Sequence, residues 1–279
     1  MKKAPTIYLV PQGGLANRMR SILSAYVLSR EIGSRLEVIW FKDRGLNAPF
    51  HVLFEPVQAP GVSLREASWT DFLSLQLPRG RNLQLSRLVQ RAVFDVCLYE
   101  TRQPVQATAE ELKQQFSGQQ IYWATCYARQ AYPEGLTAEF FRPTADIAQR
   151  VDQYASQLGH ESVGVHIRRT DNAQAIEFSP LGLFFEHMDA FLAKHPEGRV
   201  FLATDDQETK KTMLQRYGSH IICSMQPASR KTRAGVTDGL VDMLTLARCG
   251  SILGSWYSSF SELAAQIGGI PLLIVKKES

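Results

Sequence analysis

The second half of the sequence alternates apolar strand-like runs with amphipathic helical patterns, and this alternation restricts the fold more than any other feature. The runs are apolar along their whole length, which is typical of strands that are covered on both faces. The predicted strands are 162–167, 199–204, 220–225, 251–254 and 271–276, and the predicted helices are 181–194, 207–216, 237–248 and 259–267. This pattern indicates a parallel sheet with helices on both sides, a Rossmann-like domain.

The first half begins with the same pattern. Strands at 6–10 and 35–41 flank a glycine-containing loop and a helix at 19–32, which together make one βαβ unit. The pattern then weakens as far as about residue 120. Within that stretch, residues 83–97 fit a basic amphipathic helix. Such a helix either lies on the solvated protein surface or rests on a membrane or a lipid-linked acceptor.

We therefore predict an α/β protein of two Rossmann-like domains with parallel sheets. The first domain covers residues 1–142 and the second covers residues 143–279. The boundary falls at Arg142-Pro143, directly after an aromatic pair, and a helix at 144–157 opens the second domain. A chain of 279 residues is long enough for two domains with real cores.

Composition excludes several classes of protein. The net charge of +4 is a mild excess that suits an anionic small ligand or a membrane surface, and the basic residues form no aromatic-interleaved stripe of the kind that nucleic-acid binding favours. The four cysteines are far apart, which predicts buried thiols in a reducing compartment and neither a zinc site nor disulfides. We find no signal peptide and no run of 18 apolar residues, so we expect a cytoplasmic protein.

Residues 164–172 read GVHIRRTDN, an apolar strand that ends on two arginines. Ligands of open parallel sheets bind beyond the carboxyl ends of the strands, and guanidinium groups match phosphate oxygens in pairs. Arg168 and Arg169 therefore indicate an anion site, although an arginine pair at a surfacing strand is often only solvated.

The same rule selects residues 205–206, 225–233 and 255–261, which follow the other predicted strands of the second half. Asp205 ends one strand, and Ser258-Ser259 open the last helix, where Ser259 and Glu262 fit a capping box. A helix start is an anion site by itself. Gly13-Gly14 follow the first strand, where a backbone can approach a diphosphate closely. The dinucleotide and P-loop motifs are missing, and so is the D-x-D triplet of many metal-dependent sugar-nucleotide transferases.

Four segments together resemble a known family. They are GGLANRMRSILSAY, HIRRTDN, FLATDD and SSFSELA, in this order along the chain. The combination is similar to the GDP-fucose-dependent fucosyltransferases, most closely the α-1,6-fucosyltransferases with the nodulation enzymes, and the protein O-fucosyltransferases. The resemblance implies a GT-B fold, in which two Rossmann-like domains face each other across a cleft. It also implies inverting transfer of L-fucose from GDP-β-L-fucose to a glycan hydroxyl, without a metal ion or other cofactor.

The resemblance assigns roles by position. Arg168 would bind the β-phosphate and stabilise the departing GDP, with Arg169 in support. His166 and Asp242 would contact guanine, and Ser258 or Ser259 the diphosphate. The full set of expected donor-binding residues is Gly13, Gly14, Asn17, His166, Arg168, Arg169, Asp205, Asp242, Ser258 and Ser259. The first domain would then be the acceptor side, with an oligosaccharide or a lipid-linked glycan as the acceptor.

The sequence departs from the family in the acceptor region. Where α-1,6 members have a lysine and a glutamate after R-R-x-D, this chain has Asn172 and Ile176. Glu177, one position later, is our candidate for the base that deprotonates the acceptor, and Asp171 is expected to orient an arginine. GT-B proteins usually end with a helix that crosses back to the first domain, whereas this sequence ends soon after its last predicted strand.

Two alternatives remain at this stage. The chain could use another nucleotide sugar, such as GDP-mannose or a UDP-sugar. It could also be a nucleotide- or glycan-binding homologue without turnover, which the departures at Asn172 and Ile176 would favour.

Overall fold

The protein is described here from a computed structural model. The structure describes residues 4–77, 85–100, 103–104, 106–159, 161–170, 173–226 and 229–277. The contacts within the chain divide it into two compact units, Met1–Pro143 and Thr144–Ser279.

The first unit is built on a parallel sheet of five strands, in the order β3-β2-β1-β5-β4. Its elements are β1 (Thr6–Pro11), α1 (Leu15–Glu31), β2 (Arg35–Trp40), α2 (Phe50–Leu53), β3 (Val62–Glu66), α3 (Trp69–Ser74), α4 (Leu85–Val93), β4 (Val96–Glu100), α5 (Ala109–Phe116), β5 (Gln120–Thr125) and α6 (Leu136–Phe140). The central strands β1 and β5 are almost wholly buried. Ligands of parallel sheets bind beyond the carboxyl ends of the strands, and in this sheet the glycine loop follows the carboxyl end of β1.

The second unit has its own parallel five-stranded sheet, in the order β10-β9-β6-β7-β8. Its elements are α7 (Ala145–Ala155), β6 (Ser162–Ile167), α8 (Ala173–Phe178), α9 (Leu181–Lys194), β7 (Arg199–Thr204), α10 (Gln207–Tyr217), β8 (Ile221–Ile222), α11 (Arg233–Leu246), β9 (Ile252–Ser255), α12 (Ser259–Gly268) and β10 (Leu272–Val275). Counted within the unit, this is the Rossmann order 3-2-1-4-5. The switch point lies between β6 and β9.

The predicted α/β class with parallel sheets is confirmed in both units. In the second half, β6, β7 and α9 match the predicted ranges residue for residue, whereas the predicted strand at 220–225 is wrong after Ile222. There the carbonyls of Ser224 and Gln226 accept hydrogen bonds from the Lys210 ammonium instead of pairing with β7. The arrangement of the two units across a cleft stays a prediction.

The first half departs further from prediction. The helix predicted at 83–97 is wrong at its end, because α4 stops at Val93 and Val96–Glu100 pair with β5 as β4. Helix α1 begins at Leu15, four residues before the predicted start, so Asn17 and Arg18 lie in its first turn. All four cysteines are free thiols, but only Cys249 is buried as predicted, and the other three are half-buried.

None of the helices in the described ranges combines the length and the apolar character that a crossing of a bilayer needs.

Candidate functional site

The loop that carries the two arginines is fixed by both strands that flank β6. On one side, the Ser255 hydroxyl at the end of β9 donates to the carbonyl of His166 (3.2 Å) and accepts from the backbone N–H of Arg168 (3.0 Å). On the other side, the Asp205 carboxylate after β7 accepts from the backbone N–H of Arg169 (2.7 Å) and from the Thr170 hydroxyl (2.7 Å). The backbone at Arg168 is therefore held at the switch point before any ligand binds.

The two arginine side chains have different surroundings. The guanidinium of Arg169 donates to the carbonyls of Ser179 (2.7 Å) and Ile176 (3.4 Å), so it fastens the segment around α8 to the loop. Burial lowers the pKa of Arg169, while the nearby Asp205 and Asp206 raise it. Arg169 and Asp205 were predicted to bind the donor, and their contacts within the protein are those of positioning residues. Arg168 is half-buried at the rim.

His166 is the second-last residue of β6, and its imidazole is uncharged. Burial, together with the positive charges of Arg168 and Arg230, lowers its pKa to about 3. The imidazole stacks on Phe260 with ring centroids 4.6 Å apart, and its Nδ1 is 3.4 Å from the Ser261 hydroxyl and 3.5 Å from the Ser258 hydroxyl. A neutral imidazole presents one donor and one acceptor nitrogen, so His166 suits hydrogen bonding to a ligand better than charge pairing.

Helix α12 starts next to this histidine. Its N-cap is Ser258, and Ser259 is the first helical residue, so the predicted capping box of Ser259 with Glu262 is wrong by one position. The Ser258 hydroxyl lies toward His166 rather than capping the helix. Helix α12 packs closely on β9. A glycine is needed at position 254 of β9, because a Cβ there would stand 2.7 Å from the Ser261 hydroxyl. The partial positive charge of the helix start therefore lies beside β6.

Arg230 was not predicted, yet its charge acts on His166 alongside that of Arg168. It lies in the segment between β8 and α11, and that segment is pressed against the helix. A Cβ at Gly235 would come within 2.3 Å of the Ser229 carbonyl oxygen and 2.7 Å of its nitrogen. The strand-end rule selected residues 225–233, but it did not single out Arg230 among them. The surrounding S-R-K-T-R run instead resembles an ordinary helix start.

Asp242 of α11 is a second polar residue that could bind a ligand. Its Oδ1 is buried and has no hydrogen-bond partner in the described part of the chain. Burial, the largest cause, and the charge of Asp238 together raise the pKa of Asp242 to about 7 against the opposing charges of Lys210 and Arg150. Asp238 itself pairs with Arg150, and the Lys210 ammonium bonds two carbonyls. Asp242 is thus left with unused acceptor capacity, which a ligand carrying N–H donors would satisfy.

The glycine loop of the first unit is locked by a buried arginine. Gly13 has φ +81°, a conformation that favours glycine, and Gly14 is the N-cap of α1. The wholly buried Arg18 donates to the carbonyls of Gly13 (3.0 Å) and Phe41 (2.6 Å) and to the Asp43 carboxylate (2.9 Å). Asn17 is half-buried beside Gly13, and among the described residues no acidic side chain lies in the first turn of α1. This loop can therefore approach an anion.

The predicted acid–base residues are at the outer rim. Glu177 lies exposed on α8, the helix that the Arg169 guanidinium holds in place. Ile176, which occupies the position of the family's glutamate, is also exposed. Asp171 lies outside the described residues. The role of Glu177 stays a prediction.

No protein-family model matches the sequence, and no curated protein matches it. Solved structures do match it over nearly its full length. NodZ α-1,6-fucosyltransferase soaked with GDP-fucose is 19% identical, with a TM-score of 0.65, over 98% of this chain and 95% of that one. A further NodZ structure, from Bradyrhizobium, is 20% identical with a TM-score of 0.63, over 94% of this chain and 92% of that one.

Two other structures extend this likeness. Arabidopsis thaliana FUT1, as a mutant in complex with GDP, is 15% identical with a TM-score of 0.61, over 99% of this chain and 71% of that one. POFUT1 without ligand is 11% identical with a TM-score of 0.57, over 99% of both chains. At these identities the likeness shows that the chain has the fold of these proteins.

Proposed function

We propose that the chain is a glycosyltransferase that moves L-fucose from GDP-β-L-fucose to a glycan hydroxyl with inversion. The observation that carries the proposal is the convergence of positive charge at the switch point of the second unit. The charges of Arg168 and Arg230 act on His166, which is itself held beside the start of α12. A diphosphate is the ligand that such an arrangement favours. The fold shared with proteins solved with GDP or GDP-fucose supports this donor.

Arg168 would act on the leaving group. In the proposed reaction, the bond between fucose C1 and the β-phosphate oxygen breaks through an oxocarbenium-like state, and its electron pair stays on GDP. The glycan hydroxyl oxygen attacks C1 from the opposite face and loses its proton to a base. The guanidinium of Arg168 and the start of α12 would offset the charge that grows on the diphosphate, and preorganised groups of this kind are effective because they need no reorganisation.

Asp242 and His166 would recognise the base. Guanine presents adjacent N–H donors on one edge, and a carboxylate accepts two such bonds together. The unpartnered Oδ1 of Asp242 supports this role. The neutral His166 supports a contact that does not depend on charge. Ser258 and Ser259, at the start of α12, remain the candidates for the diphosphate, with Gly13, Gly14 and Asn17 of the first unit as further candidates.

The acceptor side of the proposal rests on fewer observations. We propose an oligosaccharide or a lipid-linked glycan as acceptor and Glu177 as its base, since Glu177 is an exposed carboxylate close in sequence to Arg168. We also propose that transfer needs no metal ion or other cofactor, because arginine charge takes the place of a cation. Four free thiols support action in a reducing compartment such as the cytoplasm.

The direct test is an incubation of the protein with GDP-fucose and an oligosaccharide array, followed by mass analysis of the products. We expect a glycan that gains one fucosyl unit. Arg168→Ala should lower the transfer rate by about 10²–10³-fold, the effect of removing one preorganised electrostatic donor, with an unchanged circular dichroism spectrum. Arg248→Ala, on an exposed arginine paired only weakly with Asp152 (3.9 Å), is the matched control and should transfer at the normal rate.

The alternatives predict different results. A transferase with another donor would bind GDP-mannose or a UDP-sugar more tightly than GDP-fucose in competition, and would yield a product of different mass. A homologue without turnover would bind GDP but leave every glycan unchanged. Full transfer by Arg168→Ala would contradict the role of Arg168 on the diphosphate.

A further inference from the structure

Helix α4 contacts the protein through its polar side. Ser86 and Gln90 are buried, and the Gln90 amide donates to the carbonyls of Ser74 (3.0 Å) and Gln76 (3.1 Å) and accepts from the Tyr99 hydroxyl (2.9 Å). The side chains of Leu88, Val89 and Val93 face outward, and Leu88 is 69% exposed. This is the reverse of a surface helix in a globular protein, where the apolar side packs on the core.

The neighbouring helix α3 adds to the same exposed surface. Its Asp71 is buried and bonds the Arg65 guanidinium at 2.6 Å, which fixes the helix in place. Its apolar residues, at i, i+3 and i+4, are exposed, and Trp69 reaches 76%. We call the exposed apolar residues of both helices the α3–α4 patch: Trp69, Phe72, Leu73, Leu88, Val89 and Val93.

The exposed large hydrophobic residues are concentrated in the α3–α4 patch and are not scattered evenly over the surface. Eleven large hydrophobic residues are exposed in the described part of the chain, and six of them belong to these two short helices. Contiguous exposed apolar surface marks an interaction site. The carbonyl bonds of Gln90 keep the two helices adjacent, so both are presented together.

The charge around the patch identifies the partner. The described residues 85–94, which include α4, contain two arginines and no aspartate or glutamate. Arg91 is exposed on α4, and Arg87 lies over the Tyr99 ring at 5.4 Å from its centroid. A second copy of the chain would bring these arginines against their own equivalents, which like-charge repulsion opposes. An anionic surface with an apolar interior would bind both the arginines and the exposed apolar residues of the patch. Exposed tryptophan and phenylalanine are typical of the lipid–water interface.

We propose that the α3–α4 patch docks the protein on an anionic lipid bilayer, with the apolar side chains among the acyl-chain ends and the arginines at the headgroups. The proposal does not depend on the transferase reaction. It places the first unit at a membrane surface, where a hydrophobically anchored molecule would be within reach.

The experiment is co-sedimentation of the full chain with vesicles made of equal parts phosphatidylcholine and phosphatidylglycerol, compared with vesicles of phosphatidylcholine alone. We expect binding to the anionic vesicles that weakens as salt is added. The double variant Leu88→Ser with Val93→Ser should bind at least about tenfold more weakly, and Arg91→Glu should also bind more weakly. Leu273→Ser, at a half-exposed leucine on β10, is the matched control and should bind normally.

Tryptophan fluorescence gives a second readout that needs no variant. Trp40 and Trp123 are wholly buried and Trp256 is partly buried, so Trp69 is the most accessible tryptophan. Brominated lipids should quench it when the protein binds. Wild-type protein that ignores anionic vesicles, variants that bind as well as wild type, or a dimer in solution that the double variant abolishes would each overturn the proposal.

Discussion

At the scale of single residues, Asp242 shows the clearest mismatch between stability and function. Its Oδ1 is buried and has no hydrogen-bond partner in the described part of the chain, and burial raises its pKa to about 7. A buried, unsatisfied polar atom costs about 1–3 kcal/mol of folding free energy. Lys210 is close enough to oppose the pKa shift, but its ammonium is directed to the carbonyls of Ser224 and Gln226. A ligand with N–H donors would recover this cost.

This predicts how GDP affinity depends on pH. Guanine N–H groups bond the ionised carboxylate, so binding lowers the pKa of Asp242 and releases a proton when the free group is protonated. The dissociation constant should be flat above pH 7 and should rise about tenfold for each pH unit below it. Isothermal titration calorimetry in buffers of different ionisation enthalpy measures both the affinity and the released proton.

The control for this prediction is Asp242→Asn. The amide does not titrate, so the variant should lose the contribution of Asp242 to the fall in affinity below pH 7 and keep only the change that comes from the terminal phosphate of GDP, whose second pKa is about 6. Because the wild-type pKa in the folded state lies above its unfolded value, ionisation opposes folding as the pH rises through this range. The variant should therefore gain thermal stability over wild type at pH 8 and less at pH 5. A wild-type affinity that falls above pH 7 would contradict an ionised carboxylate in the complex.

The sequence locates the segments at the carboxyl edge of the second sheet, but it does not show the contacts that their side chains make. The strand-end rule selected the segments that hold Arg168, Arg169 and Asp205, since it depends only on sheet polarity. It could not show that the Arg169 guanidinium bonds the carbonyls of Ile176 and Ser179, because that contact depends on how the segment around α8 folds. Arg230 was missed because nothing in an irregular segment shows which side chain faces the histidine.

At the scale of secondary-structure elements, α11 holds the segment that carries Arg230. The contact depends on Gly235, whose missing Cβ leaves room for the backbone of Ser229. The Thr232 hydroxyl accepts from the Gly235 N–H at 3.1 Å and completes the start of the helix. The start of α11 and the segment that carries Arg230 therefore pack together as one unit.

Gly235→Ala should displace this segment, because the new methyl group would meet backbone atoms at 2.3 Å and 2.7 Å. We expect a stability loss of about 1–3 kcal/mol and a GDP affinity at least tenfold lower, as Arg230 moves from His166. Thermal unfolding and calorimetry measure the two effects. Gly239→Ala, on the same helix with no atom within 4 Å of the new methyl, should instead stabilise the protein by up to about 1 kcal/mol and leave affinity unchanged. Equal GDP affinity in both variants would contradict the role of the segment.

Elements were predictable where their pattern is uniform. Strands β6 and β7 are apolar throughout and central, so their limits could be read from the sequence. The first two residues of strand β4 were assigned to a predicted helix, because Val96 continues the apolar spacing of α4. The helical period was correct for α4, but the period does not show which side packs on the protein, and Ser86 and Gln90 are the buried residues.

At the scale of the whole molecule, two sheets of the same parallel type each present a ligand-binding edge. The edge of the second unit carries Arg168, Arg230 and the start of α12, whereas that of the first carries the loop that Arg18 locks at Gly13. At the first edge the charges of Asp43 and Glu100 are paired with Arg18 and Arg129, whereas at the second edge Arg168 and Arg230 place positive charge beside the uncharged His166. This division agrees with the proposal that the second unit neutralises the diphosphate.

The same distribution of charge leads to a prediction about metal ions. Each phosphate of the donor carries a negative charge, and Arg168 and Arg230 supply two positive charges near His166. A divalent cation would perform the same electrostatic task as these arginines, so the two should be redundant. We expect that EDTA leaves the initial rate of fucosyl transfer within about twofold of the rate in Mg²⁺. In Arg168→Ala, where a charge is missing, added Mg²⁺ should restore part of the lost rate. Loss of wild-type transfer in EDTA, with recovery on adding Mg²⁺, would show instead that the arginine charges do not suffice and that the leaving diphosphate is held by a metal ion.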